Sequence, residues 1–545
     1  MKEKTAKTAT NRGRRTSNSN KFSSKAPNIK ASYSSEEHTK NDWRWYAKNA
    51  QILKDVASIP FNDIVGTSLD QLVSGSKLIL SPNLRTMPGI MTIDTLLVPG
   101  VASQPTDAVN VAAQSIYSYI RNTNSGATNY DPADIMMYIL AMDQLYAMHN
   151  WLKRVYGEVM QYSLINRYIP NALVEAEGFD FKNIVANLSN FRYFINELGL
   201  QIASRAVPDN MDYLVKHSWM FSNVFKDGES DKAQYYMYRP AGFYIFNEVS
   251  GTAGKLVFKQ LPAGNLSYAT ITTYVEQFIS AIMGSQDFGT MSGDIIKAYG
   301  TNRLFKVEQI DENYATVPTK SAEAQMQIHN ATIFPHLSLA NYTGLDITQD
   351  PSINSGAVVF QPRFTITAKG CGAGWEAGRI LDTYIQSPTP EDVIEMVTGV
   401  AFASNYSADL YSYQVDVCGS TLYVGMNIYK FRIEDETGDM SLVNYPYCTF
   451  MNCGGTEVSY GYFSHMETGY TIAHLESMLA KFDWHPIIYI IRDTYDGGVD
   501  HAPINIMGFS GDVDVYTIVD KWIVQKMHKV ALLSLFDIPM SLTRG

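Results

Sequence analysis

Nine cations stand in the first 30 residues, Lys2, Lys4, Lys7, Arg12, Arg14, Arg15, Lys21, Lys25 and Lys30, against Glu3 alone. Their chemistry is neutralisation of a polyanion. They are scattered among Ser, Thr and Asn with almost no aromatic rings to stack on bases, which suits contact with phosphates and not readout of sequence. These residues carry a net +8 and the rest of the chain −19, so an acidic body follows a basic arm. A nuclear-localisation signal or a solubilising tail is the plainer reading of the same residues.

Other motifs fall short of a site. Gly370 to Gly378, G-C-G-A-G-W-E-A-G, has the spacing G-x-G-x-x-x-G in place of a dinucleotide loop's G-x-G-x-x-G, and reads as a turn between strands. Ala253 to Leu256, A-G-K-L, lacks the upstream Gly and the Ser/Thr of a phosphate loop and reads as a strand entry. Asp493 to His501 clusters acids without the alternation and terminal Glu of a calcium loop. Cys371, Cys418, Cys448 and Cys453 lack the spacing and the neighbouring His of a zinc site and read as buried structural thiols in a reducing compartment. His149, His217 and His474 sit in helical patterns with no fixed partner. No nucleophile, base and orienter occur together, so no catalytic residue, metal or cofactor is expected.

The 545 residues are enough for two or more domains. Charged residues are only 18%, while Tyr (35) and Met (23) are abundant. Such a composition suits either extensive subunit contacts or an ordinary core under a Tyr-rich surface.

The element that must organise the body is Asp131 to Gly157, read as one long helix. Asp131 caps it, Pro132 takes the first helical position, Asp134 lies in the first turn and Gly157 is the expected stop. Its wide apolar face implies burial on more than one side. Asp134, Asp143, His149 and Asn150 interrupt it too often for a membrane span. Residues 1–40 are too polar to fold alone, and Trp43, Trp45 and Tyr46 anchor the chain that follows. Prolines at 82, 88, 99 and 105 punctuate an extended stretch.

Helices are predicted over Thr106–Asn122, Phe181–Arg205, Met211–Phe225 and Tyr268–Met283, and strands over Gln234–Phe246 and Lys255–Lys259. From Ala331 to Arg432 short β-type runs prevail, interrupted by a helix at Pro390–Ala403. The clearest β element is a hairpin that alternates through Tyr411 to Val417, turns at Gly419-Ser420 and alternates back through Leu422 to Ile428. Thr471–Phe482 and Val513–Asp537 read as helical again.

Three stretches together, N-D-W-R-W-Y-A-K-N-A-Q-I-L-K-D-V-A-S-I-P-F from Asn41, P-G-I-M-T-I-D from Pro88, and N-S-G-A-T-N-Y-D-P-A-D-I-M-M-Y-I-L-A-M-D-Q-L-Y-A from Asn124, behind a basic Ser/Asn-rich arm, resemble the capsid proteins of picobirnaviruses. The resemblance spans roughly Asn41 to Phe225. It implies an α+β protein: a disordered basic arm (1–40), a mainly helical shell domain (41–330, with 466–545 returning to it) and a β-containing projecting domain (331–465). It further implies dimers that build an icosahedral shell around a double-stranded RNA genome, with the nine cations of the arm touching the viral RNA. The expected setting is the virion, and the host cytoplasm during assembly, with no stable membrane span. Some members cleave their own arm; no cleavage residues can be matched here, and self-cleavage stays an open expectation. The alternative class is an RNA-binding or RNA-processing enzyme with an unrecognised active site.

Overall fold

Strand Ile90–Leu97 is the axis of the body, and every one of its residues is buried. Its sequence, I-M-T-I-D-T-L-L, puts apolar residues on both faces, as suits a strand covered on both sides. The computed structural model describes residues 49, 51, 89–124, 126, 129–161, 169–229, 233–249, 253–337, 342–352, 356–365, 375–406, 412–433, 440–454, 457–459, 470–471, 479, 481–492 and 505–537. The chain divides into two compact units, Met1–Phe61 and Asn62–Gly545. Of the first, only Asn49 and Gln51 are described, the Gln51 N–H donating to Asn49 Oδ1 at 3.0 Å.

In the second unit, the sheet around Ile90–Leu97 runs in the order Met440–Tyr447, Thr421–Ile433, Ile90–Leu97, Tyr235–Pro240, Phe225–Lys226. Ile90–Leu97 pairs antiparallel with Thr421–Ile433 and parallel with Tyr235–Pro240. The parallel pair demands a long crossover, and the helices lie within it. The expected organising helix is there, as Pro132–Val159, with the Asp131 N–H donating to Asp134 Oδ2 at 2.8 Å. It packs against Ala108–Thr123, Leu188–Ala203 and Asp212–Ser222. Trp151 sits at the centre of this core, 5.0 Å from the Phe179 ring and 5.9 Å from Phe243.

Gly157 is not the stop. The helix runs through it to Val159, and a side chain at 157 would bring its Cβ within 2.6 Å of the Thr316 backbone nitrogen. Glycine is required there by the close approach of another chain segment, not by a helix end.

Most predicted elements are present with shifted borders. Phe181–Arg205 is two helices, Phe181–Ala186 and Leu188–Ala203, meeting at Asn187. The helix expected over Pro390–Ala403 ends at Met396, and Phe402–Asn405 is a strand. Val513–Asp537 divides likewise: Val515–Val519 is a strand and Lys521–Leu535 a helix, which packs on Ala108–Thr123 and Asp212–Ser222.

The hairpin is corrected outright. Ser412–Val417 and Thr421–Ile433 are both strands, but they do not pair with each other. The first joins Phe402–Asn405 and Arg363–Thr365, and the second joins Ile90–Leu97 and Met440–Tyr447. Alternation identifies a strand; it does not identify the neighbour, and Thr421–Tyr429, buried on both faces, lies between two other strands of its sheet.

Candidate functional site

The nine cations Lys2, Lys4, Lys7, Arg12, Arg14, Arg15, Lys21, Lys25 and Lys30 lie outside the described residues, as do Gly370–Gly374, His474 and Asp493–His501. Trp375, next in the glycine-rich stretch, is buried 5.0 Å from the Phe334 ring and 4.6 Å from Phe450, which makes it core. Ala253–Gln260 is a strand, as its A-G-K-L entry implied.

The most developed polar site is one that the sequence did not announce. Asp94 lies where the register of Ile90–Leu97 against Thr421–Ile433 slips, between Ile93 and Thr95. Across the parallel edge it faces Arg239 directly, and its Oδ1 accepts from Arg239 Nε at 2.8 Å and Nη2 at 2.7 Å. Its Oδ2 accepts from Asn427 Nδ2 at 2.9 Å and lies 3.2 Å from His336 Nε2. Asn444 Nδ2 donates to Asn427 Oδ1 at 3.1 Å, so one chain of polar side chains crosses four strands. Arg239 Nη1 also donates to Ala176 O and to the Tyr429 hydroxyl.

Glycine makes the meeting possible. A Cβ at Gly425 would stand 2.9 Å from His336 Cδ2 and 3.1 Å from Asp94 Oδ2. Burial alone would raise the Asp94 pKa, but Arg239, His336 and Asn427 outweigh it and hold the carboxyl below its ordinary value. Asp94, Arg239 and His336, with Glu177, line a cleft of about 180 Å³. A general base needs a free oxygen for the substrate's proton. Both oxygens of Asp94 are occupied by its own chain, so the arrangement locks strands together.

A second cluster is deeper. Arg154, fully buried, donates to the Tyr238, Met220 and Asn223 carbonyls and pairs with Glu177, whose other oxygen accepts from Trp151 Nε1 at 2.8 Å. Glu158 lies 3.8 Å from Arg154 Nε. Burial and the Glu177 charge push the Glu158 pKa well up, Arg154 offsetting part of it, and burial raises Glu177 too. One guanidinium between two buried carboxyls favours the neutral form of one of them.

His217, expected without a partner, has one: its Nδ1 lies 2.8 Å from Asp143 Oδ2, both side chains being fully buried. Burial raises the Asp143 pKa, and His217 only partly offsets it. His149 is buried on the long helix, with burial and Lys153 driving its pKa down to about 4 against a backbone contact at Ile195. Burial raises the Cys418 thiol to about 12, the opposite of an activated nucleophile. Among the described residues no group of three His, Cys, Asp or Glu is placed to hold a metal, and no helix is long and apolar enough to cross a membrane.

The signal for the Asp94 site was a single ionisable residue in an otherwise apolar strand, T-I-D-T-L-L, and likewise Arg239 in Y-Y-M-Y-R-P. A buried charge implies a partner. Which partner depends on strand order, and nothing local in either segment encodes that.

Comparison with known proteins adds three findings. The family model described as picobirnavirus capsid protein matches residues 45–383. A capsid protein precursor of human picobirnavirus (strain Human/Thailand/Hy005102/-) is 29% identical over 573 aligned residues, covering 99% of each chain. A solved X-ray structure of the picobirnavirus capsid superposes with a TM-score of 0.77 at 23% identity, covering 92% of this chain and 99% of that one.

Proposed function

The chain belongs to the picobirnavirus capsid protein family, and on that premise we propose that it assembles as dimers into an icosahedral shell that encloses a double-stranded RNA genome. The match over residues 45–383 carries this reading. In it, residues 1–40 form the arm that contacts RNA, 41–330 with 466–545 the shell domain, and 331–465 the source of the projecting domain, with Thr421–Ile433 built into the sheet around Ile90–Leu97. Its place is the virion, after assembly in the host cytoplasm. The role is structural and not catalytic, in keeping with an Asp94 carboxylate whose oxygens are both engaged by the protein itself.

RNA binding through the arm is a matter of charge and avidity. If about six of the nine cations meet phosphates, affinity of one arm falls roughly a thousandfold between low and physiological salt, and many arms tethered in one shell restore it. Particles of the full chain and of a 41–545 truncation are to be compared by their 260/280 nm absorbance ratio. Much less RNA in the truncated particles is expected. Equal RNA content would move the RNA contact into the folded body.

A further inference from the structure

The C-terminal part of the described chain concentrates exposed apolar side chains, five large ones falling between residues 516 and 530. Tyr516 (62% exposed) and Ile518 (68%) project from one face of strand Val515–Val519, and Trp522 (66%), Ile523 and Val530 stand exposed on helix Lys521–Leu535. The strand is the outer member of a two-stranded ribbon: Arg379–Thr383, its antiparallel partner, is largely buried, and among the described residues nothing pairs with its other edge. The helix is held to the body by a narrow stripe, Val524, His528 and Leu532, four residues apart. Large exposed aromatic and aliphatic groups in one segment mark a docking surface, and Trp and Tyr are the types that carry binding energy in one.

Charge indicates what docks. The strand side bears Asp512, Asp514 and Asp520, all exposed, and the helix side bears Lys526 and Lys529, also exposed. An acidic margin beside an apolar centre repels nucleic acid. A surface with one sign at each margin is instead complementary to its own copy turned about a two-fold axis, acid facing base at both ends.

We propose that Val515–Val519 and Lys521–Leu535 form a surface on which a second copy of this chain docks about a two-fold axis, with Tyr516, Ile518 and Trp522 at its centre and Asp512 and Asp514 facing the partner's Lys526 and Lys529. The proposal rests on the reading that the chain self-assembles, and adds which surface does so. The copies meet face to face and not by extending the ribbon. Antiparallel pairing of two Val515–Val519 edges about Thr517 would set Asp514 against Asp520 of the other copy, and like charges directly opposite are destabilising.

The arrangement makes a self-checking experiment. In the full chain, one variant carries Asp512→Lys and Asp514→Lys, and a second carries Lys526→Asp and Lys529→Asp. Each alone sets like charges against like at both margins, whereas an equimolar mixture restores opposite charges at both. Circular dichroism confirms that each variant is folded, and sedimentation velocity at low salt reads association. The expected result is at least a tenfold loss of association for each variant alone and its recovery in the mixture. Wild-type association in both variants, or loss without recovery in the mixture, overturns the proposed surface while leaving self-assembly intact. A wild-type chain that never associates overturns the self-assembly reading and this proposal together.

Discussion

Two helices of similar texture have opposite surroundings. Pro132–Val159 buries nearly all of its residues, including Asp143, His149, Arg154 and Glu158, under neighbours on every side. Lys521–Leu535, with the apolar run Val530 to Leu533 and a tryptophan near its start, fully buries only Val524, His528 and Leu532. Apolar content alone therefore does not separate a core helix from a surface helix. The buried helix spends its polar residues on internal bonds, and the exposed one keeps apolar residues for a partner outside the chain.

The largest effect expected from attacking this contrast is at Leu145, which is fully buried on the long helix. Leu145→Asp buries an unpaired charge and should destabilise by more than about 4 kcal/mol, enough to leave little folded protein. An unchanged melting temperature would place Leu145 outside the core. Next is Arg239→Met. It strips Asp94 of its guanidinium partner, and breaking a buried pair from one side costs about 3–5 kcal/mol. Chemical denaturation of the variant measures this, and a loss under about 1 kcal/mol would show that Asn427 and His336 suffice to hold the carboxylate.

The two helices should respond alike to acid. Burial drives His149 and His528 down to about 4, aided by Lys153 at the first and Lys216 at the second and opposed by backbone contacts at Ile195 and Val400. Both histidines have folded-state pKa values below an unfolded value of about 6.5. Their contribution is therefore fully present above about pH 6.5 and is lost as pH falls toward 4, at up to about 1.4 kcal/mol per pH unit for each. The urea midpoint should fall between pH 7 and pH 5, and His528→Gln should flatten the decline. A midpoint that rises on acidification would contradict neutral, buried imidazoles. The smallest effect on stability is at Trp522. Trp522→Asp changes an exposed site and should shift stability by less than about 0.5 kcal/mol while weakening association. Unfolding of this variant would mean that Trp522 supports the fold and not a partner.

How far the sequence discloses this structure follows from the range of each signal. The long helix, its start at Asp131 and the helices Ala108–Thr123 and Tyr268–Gly284 were legible because their signals, periodicity and caps, are local. Pairing is not local. Asn427, which alternation marks as an exposed hairpin position, is fully buried, because its strand is central to a sheet and bonded to Asp94, 333 residues away. The same limit hid His217, whose carboxylate partner is 74 residues upstream, and made the spacing of Gly157 look like a stop when its cause is Thr316.

The central claim is that this chain builds a shell, and electron microscopy of the purified full-length protein tests it most directly. Closed particles of uniform size, megadaltons in mass, are the predicted result. Only small soluble species, in every salt and pH condition at which the protein is folded, would contradict it.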